Sequence, residues 1–257
     1  MKILMCRPTN FSVNYSINPW MNTDDPVNLE LAKYQWKELR STIEDLGVQV
    51  LFLDQHKDLP DMVFAANAGI AHKNHVVISN FKHPERQPEH DQFKDWFLKN
   101  NYNTHTLSKN LTFEGGGDCF IWNDHLIAGW GFRSDEKAVE RTAELLNLKC
   151  ITLKLQDERF YHLDTCMLEI NGLCLYYPGA FDSDEIKKLP FKMIPISEDD
   201  AKRFACNGVK INNNIISTKI SSELKNVLQV NNINHIEVDT SEFLKSGGSA
   251  RCLVLKI

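Results

Sequence analysis

The chain lacks the features that mark the commonest binding and membrane classes. No block of lysines and arginines could track a phosphate backbone, and 29 basic against 34 acidic residues leave a formal charge of -5. Nucleic acid is therefore not expected as a main partner. No apolar run approaches a membrane span, and the first eight residues, Met1 to Pro8, lack the apolar stretch and cleavage region of a secretory leader. The seven cysteines are odd in number, irregularly spaced and without a C-x-x-C pair. They make a poor disulfide framework and suit a reducing compartment, so a cytoplasmic location is expected. No H-x-x-x-H or H-E-x-x-H spacing points to a metal, and no G-x-x-x-x-G-K loop points to a bound phosphate. Neither metal nor organic cofactor is expected.

At 257 residues the chain can bury a large core, and a single domain over residues 1–257 is expected. Strand-like segments ending in a polar group recur at Val48 to Asp54, Tyr102 to Leu107, Lys149 to Leu155, Phe191 to Ser197 and Ile233 to Asp239. Four of them follow a helical pattern. The clearest is Leu29, Ala32, Trp36, Leu39, Ile43 and Leu46, closed by Gly47. Further short strands lie between, paired through Asn123-Asp124 and Asn171-Gly172 turns. A mixed unit repeated five times, with both chain ends inside the pattern, predicts a closed radial array, a five-bladed α/β-propeller of ββαβ-type units. A two-layer α/β sandwich is the competing arrangement. In a radial array the inner strand ends converge on the axis, where polar groups distant in sequence can meet.

Three polar islands are candidates for that meeting. The first is Gly247-Gly248-Ser249-Ala250-Arg251-Cys252, followed by a strand-like Leu253 to Ile257. Its glycines permit a tight turn and close approach to a ligand, and this sets Cys252 apart from the other cysteines, which lie in apolar filler. The second is Phe113-Glu114-Gly115-Gly116-Gly117-Asp118, whose triple glycine argues against a helix and lets both carboxylates point at one ligand. A hairpin turn with the acids in water is the plainer alternative. The third is Tyr161-His162-Leu163-Asp164-Thr165. If it is extended, His162 and Asp164 share a face, either as proton carrier and cation holder or as a structural pair. Asp61 and Asn67 are polar groups beside a hydrophobic segment, and the Asn67 amide both donates and accepts hydrogen bonds. Arg86 and Arg133 are candidates to clamp a carboxylate bidentately, or else simply face solvent.

Together, several acids, a thiol and two arginines fit a small zwitterion carrying a delocalised cation. The acids would hold a guanidinium, Cys252 would attack its central carbon, and His162 would protonate the departing ammonia and then activate water. These motifs, from Cys6-Arg7-Pro8 to Cys252, resemble the guanidino-modifying (pentein) superfamily of arginine deiminases, dimethylarginine hydrolases and amidinotransferases. The resemblance implies Cys252 as nucleophile, His162 as acid/base, and Glu114 and Asp164 as guanidinium holders, with Asp118 in the same acidic motif. Deiminases and dimethylarginine hydrolases carry an acid where Asn67 stands. The runs around Asn67, Tyr15 to Met21, Gly131 to Asp135 and Phe160 to Thr165 instead resemble the arginine dihydrolase branch, which takes arginine to ornithine, carbon dioxide and two ammonia. That likeness puts Asn18, Arg86 and Arg133 at the α-amino-acid end of the substrate. It also implies that the Asn67 amide pairs with a neutral ureido oxygen that a carboxylate would repel.

Overall fold

The computed structural model describes every residue from Met1 to Ile257. Its short strands fall into five separate three-stranded sheets. β1 (Lys2–Cys6) and β2 (Gln49–Leu53) pair in parallel, joined through helix α1 (Leu29–Asp45). The next sheet is β3 (Gly69–His72), β4 (His75–Ile78) and β5 (Asn103–Thr106), with α2 (Glu89–Lys99) before its last strand. The third is β6 (Cys119–Trp122), β7 (His125–Trp130) and β8 (Lys149–Lys154), with α3 (Glu136–Leu145). β9 (Met167–Ile170), β10 (Leu173–Tyr176) and β11 (Lys192–Pro195) form the fourth, crossed only by a short helical turn at Ser183–Ile186. The fifth is β12 (Val209–Ile211), β13 (Asn214–Ser217) and β14 (Asn234–Glu237), with α4 (Ser222–Val230). The last strand, β15 (Leu255–Lys256), runs antiparallel to β1 and completes the first sheet.

Each sheet follows one rule: its first strand is antiparallel to the middle one, which is parallel to the third. The antiparallel step needs only a tight turn, and Asn123, Asn171 and Asn212 take the left-handed conformation there, all at φ 52°. The parallel step needs a crossover. The expected five-bladed propeller is thus observed, and the sandwich is excluded because the five sheets share no edge. The first strands, β3, β6, β9, β12 and β15, stand innermost, since Ile70, Phe120, Leu168, Val209 and Leu255 line one axial cavity.

The helices pack outside. In α1 the buried Ala32, Trp36, Leu39 and Ile43 make one apolar stripe. Asn28 caps its start by accepting from the Leu31 amide, and Gly47, at φ 80°, lets the chain leave it. No helix is long and apolar enough to cross a membrane.

Two local expectations are corrected. Gly115–Asp118 is a single helical turn despite its glycines, and Leu163–Cys166 is another where an extended segment was the alternative, so β6 and β9 start only at Cys119 and Met167. Helix propensity does not decide a single turn whose surroundings fix it. Gly115 sits at φ 53°, and a Cβ there would come within 2.6 Å of the Gly69 backbone. Close backbone packing therefore requires the glycine.

Phe243 is fully buried, stacked on Phe11 at 5.0 Å and edge-on to Phe64 at 6.5 Å, and it ties the end of the chain to its beginning. F243A is expected to cost ~3–5 kcal/mol of stability, read as a lowered urea midpoint.

Candidate active site

The segment just before each innermost strand carries the polar residues, so the fivefold arrangement brings five sequence-distant groups together. Asn67 precedes β3, Glu114 and Asp118 precede β6, His162 and Asp164 precede β9, Asn207 precedes β12, and Cys252 precedes β15. Asn18, Asn67, Arg86, Arg133, His162 and Cys252 all line one cavity at this end of the axis, with about 270 Å³ of empty space including its mouth, together with Asp61. Every one of these except Asn18 is buried.

The thiol is held from two sides. Asn207 donates from Nδ2 to Cys252 Sγ at 3.1 Å, and its Oδ1 accepts from the amides of Cys252 at 3.2 Å and Ser249 at 3.1 Å. The Asp164 carboxylate lies 3.6 Å from the same sulfur. Burial, and then Asp164, push the thiol well above its ordinary range and so favour its neutral form. Burial likewise raises Asp164 to about 7, against the opposing pull of Arg251. A carboxyl and a thiol side by side, both pushed toward their neutral forms, form a site that favours an incoming cation.

His162 Nε2 is 2.8 Å from Glu114 Oε2, and its Nδ1 has no hydrogen-bond partner in the protein. Glu114 also accepts from Arg133 at 2.9 Å and from the Lys82 amide at 3.3 Å. Burial alone would raise its pKa. Arg133 and the His162 hydrogen bond hold it well below the usual carboxylate range. Glu114 is therefore a permanent anion that fixes the imidazole. Neither it nor Asp164 lines the cavity directly, and the contacts of Glu114 itself are with the imidazole and Arg133. Asp118 faces the frame as well. It accepts from Ser134 Oγ at 2.6 Å and the Leu163 amide at 3.3 Å, and burial raises it to about 6. His162 and Asp164 are brought together by a helical turn rather than a strand, with His162 as its N-cap residue.

Neither arginine is a free fork. Arg86 binds Glu89 through Nε at 2.8 Å and a terminal nitrogen at 2.9 Å, and it also donates to Asn67 Oδ1 at 3.0 Å. Arg133 donates to Glu114 and to the Ile17 carbonyl at 2.9 Å, and its guanidinium lies 4.5 Å over the Tyr161 ring. Asp61 accepts from Tyr15 at 2.9 Å and Ser246 at 3.0 Å, giving the cavity one acid beside its two cations. Asn18 ties the N-terminal loop to the glycine turn, donating to the Ser246 carbonyl at 3.1 Å.

Asn207 is the residue the sequence reading missed. An asparagine among many carries no signal by itself, but its position ahead of the fourth innermost strand does. Each other unit carries a polar site residue there.

A protein-family model described as N,N dimethylarginine dimethylhydrolase, eukaryotic, matches residues 7–257. The bifunctional arginine dihydrolase/ornithine cyclodeaminase AgrE of Nostoc sp. is 42% identical over 100% of this chain and 38% of its own length. The chain thus spans less than half of that relative. The N(G),N(G)-dimethylarginine dimethylaminohydrolase of Mycobacterium tuberculosis is 34% identical over 98% of this chain and 84% of its own length. The crystal structure of the N-terminal domain of an ArgZ variant, covalently bound to a reaction intermediate, matches with a TM-score of 0.95 at 41% identity. It covers 99% of this chain and 96% of that one.

Gly117 is the tightest point of the site. A Cβ there would overlap Asn67 Nδ2 and lie 3.2 Å from His162 Nδ1. G117A is expected to lower kcat/KM by about a hundredfold, because either neighbour must move. Steady-state kinetics beside a thermal melt checks that the loss is local.

Proposed function

The chain belongs to the N,N-dimethylarginine dimethylhydrolase family, and we propose that it is, over residues 1–257, a single catalytic domain that hydrolyses free arginine to ornithine, carbon dioxide and two ammonia. The observation that carries this reading is the state of Asn67. Its Oδ1 is taken by Arg86 and one N–H by the Glu114 carbonyl at 3.2 Å, which leaves the second N–H without a protein acceptor in the cavity wall. These partners also fix which end of the amide is oxygen. A spare donor serves a neutral ureido oxygen, whereas an acid at the same position would repel it.

The steps follow from the charges. Arginine enters with its guanidinium toward Asp164 and Cys252 and its α-amino-acid end toward Asn18, Asp61, Arg86 and Arg133. The cation offsets the burial that keeps the thiol protonated, and the thiolate forms only with substrate present. Sulfur attacks Cζ, and ammonia leaves with a proton from His162. Water, giving its proton to the same imidazole, then displaces the sulfur to yield citrulline. In the second round the thiolate attacks the ureido carbon while Asn67 donates to its oxygen, and a second ammonia departs. Hydrolysis of the thiocarbamate leaves an N-carboxy ornithine that loses carbon dioxide. Two waters are consumed overall. Glu114 and Asn207 position the imidazole and the thiol, respectively. AgrE's name and ArgZ's covalent intermediate support this reading. The seven unpaired cysteines support a cytoplasmic location.

A second reading is favoured by the family model and the mycobacterial relative: a dimethylated arginine as substrate, with the same nucleophile and citrulline as end point. Product analysis of the purified chain decides. Arginine and citrulline should each give ornithine. Stoichiometric citrulline from arginine, with no ornithine from either substrate, overturns the dihydrolase reading. Turnover restricted to dimethylarginine favours the second. N67D should lower ornithine formation by ~100-fold, the scale of losing one donor to a developing oxyanion, while still releasing citrulline.

The raised Asp164 also sets a pH dependence. Below about 7 this acid is neutral in the free enzyme and cannot hold the guanidinium, so kcat/KM for arginine should rise with pH through that value. A pH profile of D164N should lack this limb.

A further inference from the structure

Behind the site the axis opens into a second, larger cavity, with about 1380 Å³ of empty space including its mouth. The partition between the two is thin. Cys252 faces the site while its neighbour Arg251 faces the axis, and Gly117 packs on His162 and Asn67 while Gly116 packs on Arg251. Asp164 touches the thiol and also lines the axial cavity.

The walls of this cavity are largely apolar, with Ile70, Phe120, Leu168 and Val209 supplied by four innermost strands. Its charges are cationic in excess, although the protein carries a net charge of -5. Lys73, Lys210, Arg251 and Lys256 line it, against Asp164 and Glu169. Glu169 is occupied by Lys210. Neither Arg251 nor Lys256 is in an ion pair, although Arg251 pulls on Asp164 and Glu169 on Lys256. The Arg251 guanidinium donates only to the carbonyls of Val254 at 2.7 Å and Gly116 at 3.1 Å, so most of its donors are unused. Lys256 is pushed below its ordinary range by burial first, then by Lys210 and Arg251, and Glu169 offsets this only in part. A half-buried guanidinium with unused donors, an ammonium at the mouth and an apolar lining leave both an electrostatic and a hydrophobic demand unmet.

We propose that the axial cavity is a second ligand site, distinct from the substrate cavity, that takes a small carboxylate with an apolar tail, its head held by Arg251 and Lys256. This does not rest on the reading of the reaction. A ligand there would bear on Arg251, which is peptide-bonded to the nucleophile.

Octanoate is a suitable probe, followed by calorimetry on the C252A chain saturated with arginine. One equivalent should bind without displacing arginine, and inorganic phosphate should bind more weakly because it gains nothing from the walls. Affinity for octanoate should fall about tenfold in K256Q, the equivalent of one favourable charge contact, and further in K256Q/R251Q. Lys256 lies at the exposed mouth, so K256Q keeps the test available if the Arg251 change disturbs folding. The proposal is overturned if octanoate does not bind saturably, if it displaces arginine, if K256Q binds it as well as the unmodified chain does, or if phosphate binds equally tightly.

Discussion

The Glu114 carboxylate, withdrawn wholly from water, is the group on which the site depends. A buried anion is tolerated only when its oxygens are partnered, and this one is partnered from three directions. Arg133 neutralises it, His162 shares its proton, and the Lys82 amide approaches its other oxygen. Its backbone is held too, with its amide on Ser134 and its carbonyl on Asn67. One side chain therefore fixes the register between the second, third and fourth sheets, the tautomer of the imidazole, and the position of the amide that distinguishes this site. Removing the carboxylate would leave Arg133 buried without its acid as well as freeing the histidine.

The remaining charges sort by what they face. Acids in the frame are spent on arginines or hydroxyls, as in Glu89 with Arg86 and Asp118 with Ser134. Asp164 is different, because its carboxylate lies between the Cys252 thiol and the axial cavity, with Arg251 pulling on it. The thiol beside it is pushed toward its neutral form by burial and by the same carboxylate.

The periodic features were legible in the sequence. Five recurrences of strand and turn, four of them with a helix, were enough to predict the radial array, because each element's hydrophobic period is local and its turn residues are explicit. Cys252 and His162 stood out because glycines or polar neighbours interrupted apolar sequence. What could not be read was which partner each polar group chooses. Glu114 turns toward His162 because Gly115–Asp118 coils into one helical turn, and that coil depends on packing against Gly69, 46 residues earlier. Arg86 could be read as a carboxylate clamp or a solvent-facing arginine, but not as the buried partner of Glu89. Asn207 was hidden for another reason: its meaning lies only in its register relative to the innermost strand of its sheet.

The central claim is that one thiol serves two successive attacks, the second on a neutral carbon. Rapid-quench mass spectrometry with citrulline as the only substrate tests it most directly. The account predicts a transient adduct on Cys252 with the mass of citrulline less ammonia, appearing and decaying as ornithine forms. An adduct from arginine with none from citrulline, under conditions where citrulline occupies the site, would contradict it.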